Sequence, residues 1–265
     1  MSPCDLTARV AAVGLTTFAV TDHDTTAGLA EAREAAAHRG LNFIDAIEIT
    51  AVEDGRDVHI LGYYIDPADR RLAAFLEAQR ADRVRRVVEI IERLSNQGCA
   101  VDSTAILARA SARGGRSVGR PLLADALVAA GHAADRTEAF DRYLGERGSA
   151  FVPRRGAPAT AVVRAIRDAG GIASLAHPGL TRRDDLIPSL AAAGLAAIEV
   201  RHSEHDALTE ARYRELAHNF GLDVSGGSDY HGEGTPRAAS FGVVVLPAAD
   251  FARLQARAAD ARRSA

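Results

Sequence analysis

Imidazoles and carboxylates recur in this chain where short apolar, β-branched runs come to an end. Phe18-Ala19-Val20 leads into Thr21-Asp22-His23-Asp24, Ile172-Ala173-Ser174-Leu175 into Ala176-His177-Pro178, and Ala197-Ile198-Glu199-Val200 into Arg201-His202. Asp223-Val224 precedes Gly226-Gly227-Ser228-Asp229-Tyr230-His231. Two further polar residues stand inside apolar runs: Glu48 between Ile47 and Ile49, and His59 between Val58 and Ile60. Strand ends in α/β folds share a rim, so side chains far apart in sequence can meet there. Nitrogen and oxygen donors gathered in that way suit divalent cations and the hydrolysis such cations assist.

Each residue also has a blander explanation. His23 could ligate an ion while Asp22 or Asp24 orients its other ring nitrogen; equally, Asp24 or Thr25 could cap the next helix. Glu48 is costly to bury unless paired or bound to a cation, an exposed edge strand being the alternative. A lone histidine on a strand face, such as His59, is more often a satisfied core residue than a ligand. Pro178 and Gly179 stop pairing and leave His177 on the rim. Asp229 and His231, two apart, share one side of extended backbone. Glu199 and His202 occupy another strand end, suited to outer support or proton transfer. Six bland explanations must hold together to remove the metal site, which is therefore the favoured reading. The chain has no glycine-rich phosphate loop of the nucleotide-binding type and no nucleophile elbow, and neither Cys4 nor Cys99 has a neighbouring base.

The elements that must position these residues alternate at first. Strands are expected over 17–21, 43–50 and 57–65, with a helix over 26–38 and a turn at Glu53-Asp54-Gly55. From Pro67 the period becomes helical, with further helices over 103–112, 121–130 and 137–144. A helix over 159–169 and three strand–helix alternations complete the chain. Residues 67–158 thus read as a helical insertion in a β/α framework formed by 1–66 and 159–265. A complete eight-unit barrel takes about 250 residues, so the framework has room for six or seven units.

At 265 residues and 47% hydrophobic content the chain can bury a full core. No apolar run approaches the ~18 residues of a membrane span. The start lacks a basic leader and an apolar core, and the two cysteines lack metal-type spacing, so a reduced, cytoplasmic protein is expected. The net charge of −3 argues against an extended nucleic-acid-binding surface. Residues 67–158 hold 16 Arg against 11 acids, whereas the remainder holds 16 Arg against 24. The acidic part suits cations and the Arg-rich part an anionic substrate.

In combination, Thr21-Asp22-His23-Asp24-Thr25, Glu48, His59-Ile60-Leu61-Gly62-Tyr63, Gly119-Arg120-Pro121, Ala176-His177-Pro178 and Ser228-Asp229-Tyr230-His231 resemble the polymerase-and-histidinol-phosphatase (PHP) family. They are most similar to its small phosphoesterases, which remove the 3′-phosphate of nucleoside 3′,5′-bisphosphates and trim short RNA 5′ ends. The resemblance implies an α/β fold, a distorted (β/α)7 TIM-like barrel with a helical insertion, and up to three divalent ions, manganese above zinc or iron. It implies that Glu48 bridges two ions, that His59 and His177 complete one of them, that Asp229 serves the other, and that His23 and His231 hold a third. Arg120, with Arg116 and Arg147 as further candidates, is the implied phosphate-gripping arginine. The family opens with a strand bearing a His-x-His pair, whereas this chain starts at Met1-Ser2-Pro3-Cys4, just past that point. The expectation is a barrel without its first strand and with fewer ions, a start upstream of Met1 being the preferred explanation. The expected reaction is metal-assisted phosphomonoester hydrolysis of a small nucleotide or short RNA end. Arg120 would neutralise the equatorial oxygens and His202 protonate the leaving alkoxide. The rivals are a histidinol-phosphate-type phosphatase and a truncated, non-catalytic module that binds a nucleotide or a protein partner.

Overall fold

Ser2 opens the first helix. Its hydroxyl accepts the Asp5 N–H at 3.1 Å, the Asp5 carboxylate accepts the Ser2 N–H, and Pro3 occupies the first turn. This cap marks α1 (Pro3–Ala12), which adds to the elements expected above. The computed structural model describes residues 1–111, 118–235 and 237–264. Strand β1 (Thr17–Val20), helix α2 (Leu29–Ala37) and strands β2 (Asn42–Glu53) and β3 (Arg56–Tyr63) follow. Helix α2 starts later than its period suggests because Asp24 is tied to β2. Its N–H donates to the Glu48 carbonyl and its carboxylate accepts the Thr50 N–H. Asp54 and Gly55, both at positive φ (51° and 78°), form the two-residue turn between β2 and β3. Such a turn forces antiparallel strands.

The chain divides into two units, 1–53 with 57–74 and 157–265, and 54–56 with 75–156. Helix α3 (Arg70–Asn96) starts in the first and continues into the second. Its onset is fixed by Asp69, whose carboxylate accepts the Leu72 N–H at 2.7 Å. Helices α4 (Thr104–Ser111), α5 (Arg120–Ala129) and α6 (Arg136–Ala139) complete the second unit, around a core that includes Val87, Ile90, Leu94, Leu123, Leu127 and Leu144. The helix expected over 137–144 is instead the four residues of α6 and a π turn, Phe140–Leu144. The wider turn lets the consecutive Tyr143 and Leu144 both enter the core.

In the first unit, α7 (Ala159–Asp168) lays Ala159, Val162, Val163 and Ile166 toward β2 and β4 (Ile172–Leu175). Then come α8 (Pro178–Thr181), α9 (Ile187–Ala193), β5 (Ala197–Arg201), α10 (Ala207–Asn219), β6 (Asp223–Gly226) and α11 (Ala248–Ser264). The result is a mixed α/β fold on one six-stranded sheet, ordered β1 to β6. Strand β4 is antiparallel to β3 and parallel to β5, which is parallel to β6. Strand β4 is buried throughout and β5 from Ala197 to Val200, as expected of strands covered on both faces. Among the described residues, no helix is long and apolar enough to cross a membrane.

Candidate metal centre

The parallel register of β1 and β2 continues beyond β1, so that His23 stands opposite Glu48. Glu48 is only 4% exposed, and its strand is flanked by β1 and β3. The edge-strand explanation for this carboxylate therefore fails. On β3, the His59 carbonyl accepts the Ala176 N–H at 3.0 Å, which brings His177 beside His59. Glu48 Oε1 lies 2.7 Å from His59 Nδ1 and 3.2 Å from His177 Nε2, while Glu48 Oε2 lies 3.6 Å from His23 Nδ1. One buried carboxylate is thus met by three imidazoles from three other parts of the chain. The donor atoms of His23, Glu48 and His59 all lie within 4.8 Å of one another. Ligands of one ion, each about 2.1 Å from it, lie up to about 4 Å apart, so small rotations suffice. The mixture of imidazole and carboxylate donors fits a divalent transition metal.

A second cluster adjoins the first. Asp229 Oδ2 lies 3.2 Å from His202 Nε2, and Asp229 Oδ1 3.4 Å from His231 Nδ1. The His177 and His202 rings are 5.6 Å apart, and those of His23 and His231 6.1 Å. His23 follows one edge strand and His231 the other, so the sheet curls enough to bring the segments that follow its two edge strands together at this rim. Two rim residues bend sharply, His177 at φ 27° and Asp229 at φ 48°, in a region unfavourable to side chains. Such strain is characteristic of sites whose surroundings over-determine them.

Burial opposes the charge of Glu48, but hydrogen bonds from His177 and His59 outweigh it and hold the carboxyl well below 4.5. Burial likewise opposes charging of His177, yet Glu48 and the nearby Glu199 raise it above 6.5. For Asp229, the His202 hydrogen bond prevails over burial and lowers it below 3.8. Burial pushes Glu199 up to about 7. These directions fix the pH dependence of the metal-free fold. His177 contributes stability that is full below pH 6.5 and fades as pH rises through its folded value. Glu199, protonated in the fold but ionised in the unfolded chain above 4.5, costs up to about 3 kcal/mol by pH 7. Glu48 and Asp229 contribute above 4.5 and 3.8 and lose that contribution only in acid. The urea midpoint of chelator-treated protein should therefore fall between pH 5 and 8, and Glu199→Gln should flatten the fall. A level profile in the unsubstituted chain contradicts the assignment.

Supporting groups fix the rim. Glu199 Oε2 accepts the His177 N–H at 2.7 Å. His205 Nδ1–H donates to the Val200 carbonyl at 2.9 Å, leaving Nε2 to accept the Gly179 N–H at 3.2 Å. A Cβ on Gly179 would lie 2.8 Å from that nitrogen. Gly179→Ala should thus displace His205 or the turn carrying His177, costing about 1–3 kcal/mol and weakening divalent-metal binding about tenfold. Thermal melts with and without metal measure both effects.

His23, Glu48, His59 and His177 come together, as do His202, Asp229 and His231. Asp24 serves the β2 backbone, and Asp22 is exposed, its carbonyl accepting the Glu48 N–H at 3.3 Å. Arg120 stands over the Phe140 ring, 5.7 Å from its centroid, and donates to the Leu144 carbonyl. Arg147 is exposed, and Arg116 lies outside the described residues. Two participants carried no sequence signal: His205, one polar loop residue among many, and Arg237, which pairs with Asp229. A groove of about 590 Å³ lies at the other end of β6, where Arg253 and Arg257 are engaged by Asp223.

Imidazoles and carboxylates converging from the strand ends of a mixed sheet define the class of metal-dependent hydrolases. No protein-family model matches the chain. It is 35% identical over 236 residues to a 5′-3′ exoribonuclease of Haemophilus influenzae, covering 87% of this chain and 85% of that one. It is 33% identical over 244 residues to a 3′,5′-nucleoside bisphosphate phosphatase of Chromobacterium violaceum, covering 88% and 83%. A crystal structure of a metal-dependent phosphoesterase from Bifidobacterium adolescentis superposes with a TM-score of 0.85 at 33% identity, covering 97% of this chain and 91% of that one. The chain belongs to the PHP family of metal-dependent phosphoesterases and is a hydrolase of phosphoester bonds.

Proposed function

We propose that this enzyme removes the 3′-phosphate from nucleoside 3′,5′-bisphosphates, with trimming of short RNA 5′ ends as a related activity, and that it works in the cytoplasm. The observation that carries the proposal is the buried Glu48 carboxylate met by His23, His59 and His177, beside the Asp229–His202–His231 cluster. The relatives named above supply the substrate class. We read the six-stranded sheet as part of a distorted (β/α)7 barrel carrying 67–158 as its insertion.

In this reading Glu48, His59 and His177 would hold one divalent ion with a full set of protein donors, whereas Asp229 with Glu48, and His23 with His231, offer only partial sets, so fewer than three ions are expected, manganese being the preferred metal. Such ions, when bound, activate water and withdraw charge from phosphate oxygens. The protein's own residues do the rest. Glu199 fixes the His177 backbone. His202 is the proposed proton donor: its Nε2 faces the site beside Asp229, and donation starts from the imidazolium, which gives the Nε2 proton to the leaving oxygen and returns to the neutral ring whose Nδ1 accepts the Glu204 N–H at 3.1 Å.

The test compares metal-stripped and manganese-loaded protein on a nucleoside 3′,5′-bisphosphate, histidinol phosphate, a phosphodiester and a 5′-labelled RNA oligonucleotide. Manganese-dependent release of the 3′-phosphate, faster than from histidinol phosphate, is the expected result. Preference for histidinol phosphate, or no turnover of any phosphoester, overturns the proposal.

A further inference from the structure

Arg237 lies in the loop that also bears Asp229 and His231. Its guanidinium is anchored on one side, where Nε and a terminal nitrogen reach Glu204 Oε1 at 2.7 and 2.6 Å. On the other side it pairs with Asp229 Oδ2, the oxygen that also faces His202 Nε2. The Arg237 side chain is 23% exposed. Glu204 does two jobs at once, since its backbone N–H fixes the His202 ring while its carboxylate holds Arg237.

This arrangement conflicts with a bound cation unless an anion joins it. A carboxylate that serves a divalent ion has less negative charge to share with an arginine, and the ion and the guanidinium repel each other at this range. A half-buried guanidinium then needs a new acceptor. Phosphate oxygens match its fork in geometry and in charge, and they are what a cation in this place would also attract.

We propose that Arg237 grips a phosphate group of the substrate, parked on Asp229 until metal and substrate arrive and aimed throughout by Glu204. The inference rests on the phosphoesterase reading of the site and adds to it a binding residue on the Asp229 loop itself. It gives that loop two tasks, the cation through Asp229 and the anion through Arg237. Glu204 is then a positioning residue, acting through Arg237.

The experiment uses the full chain, loaded with manganese, with Arg237→Met, Arg237→Lys and Glu204→Gln. Bound manganese is counted by elemental analysis, and inorganic phosphate binding is measured by calorimetry, independently of turnover. KM and kcat are then determined on a nucleoside 3′,5′-bisphosphate. Arg237→Met should keep its manganese, bind inorganic phosphate at least tenfold more weakly and raise KM in proportion. Arg237→Lys should recover only part of the loss, because an ammonium has no fork, and Glu204→Gln should fall between it and the unsubstituted chain. Unchanged phosphate affinity in Arg237→Met overturns the proposal. So does a loss of manganese that accounts for the weaker binding, since Arg237 would then be a brace for Asp229. If the unsubstituted protein turns over no phosphoester yet loses phosphate binding on Arg237→Met, the proposed substrate fails while the anion site stands.

Discussion

Glu48→Ala should lower kcat/KM for phosphoester hydrolysis by about a thousandfold or more, a loss of about 4 kcal/mol of transition-state stabilisation. Bound manganese should fall with it. The reason is position: Glu48 is the single carboxylate shared by His23, His59 and His177, and it comes from a strand buried on both faces. Without it, three imidazoles face one another with no anion among them. Glu48→Gln separates charge from packing, because the amide keeps the volume and removes the charge. Glutamine should therefore recover the packing part of the metal-free fold's stability but not the part carried by the carboxylate's charge, while leaving activity as low as alanine does. Activity in the glutamine variant within tenfold of the unsubstituted enzyme would remove Glu48 from the proposed centre. The two measurements, manganese per chain and kcat/KM, have to fall together.

For His202, the expected result depends on the leaving group. A nucleoside alkoxide is a poor leaving group and gains most from a proton, and general acids contribute typically about 10²–10⁴-fold. His202→Gln should cost a factor in that range on a nucleoside 3′,5′-bisphosphate. On p-nitrophenyl phosphate, whose leaving group is stable as an anion, the loss should shrink to less than about tenfold. The side chain is buried against Asp229, and the Glu204 N–H holds the neutral ring left after donation, so the proton that the imidazolium gives up leaves from Nε2. Equal losses on both substrates would make His202 a prop for Asp229 and not a proton donor. Metal content discriminates further, since a prop lost from Asp229 would lower it.

The sequence made the alternation of strands and helices legible, because apolar runs ending in Gly, Pro or Asp mark strand ends by elementary backbone chemistry. The antiparallel β3 was readable too, since Glu53-Asp54-Gly55 leaves no room for a crossover. Glu48 stood out as a carboxylate in an apolar run. What it touches did not, because its partners come from β3 and from beyond β1 and β4, a matter of tertiary register. Helix α1 is announced by the cap at Ser2 and Asp5 as well as by its apolar period. The late start of α2 reflects Asp24, whose carboxylate suits a helix cap equally well but bonds across to Thr50. The π turn at Phe140–Leu144 has the same local sequence character as a helix, and only the core decides it. Arg237 was invisible for a different reason: in a chain with 32 basic residues, one more arginine in a glycine-rich loop is unremarkable until Asp229 and Glu204 are found on either side of it.

The curling of the sheet has a thermodynamic corollary. His23 and His231 belong to its opposite edges and are separated by most of the chain, yet their rings nearly touch. A cation that engages both would act as a clasp on a very long loop, and the entropy such a clasp removes from the unfolded chain grows only slowly with loop length. Its binding energy would then be counted directly as folding energy. Chelation should accordingly loosen the two edges in concert, with amide exchange rising together in β1 and β6 and lagging in β4, whose neighbours hold it from both sides.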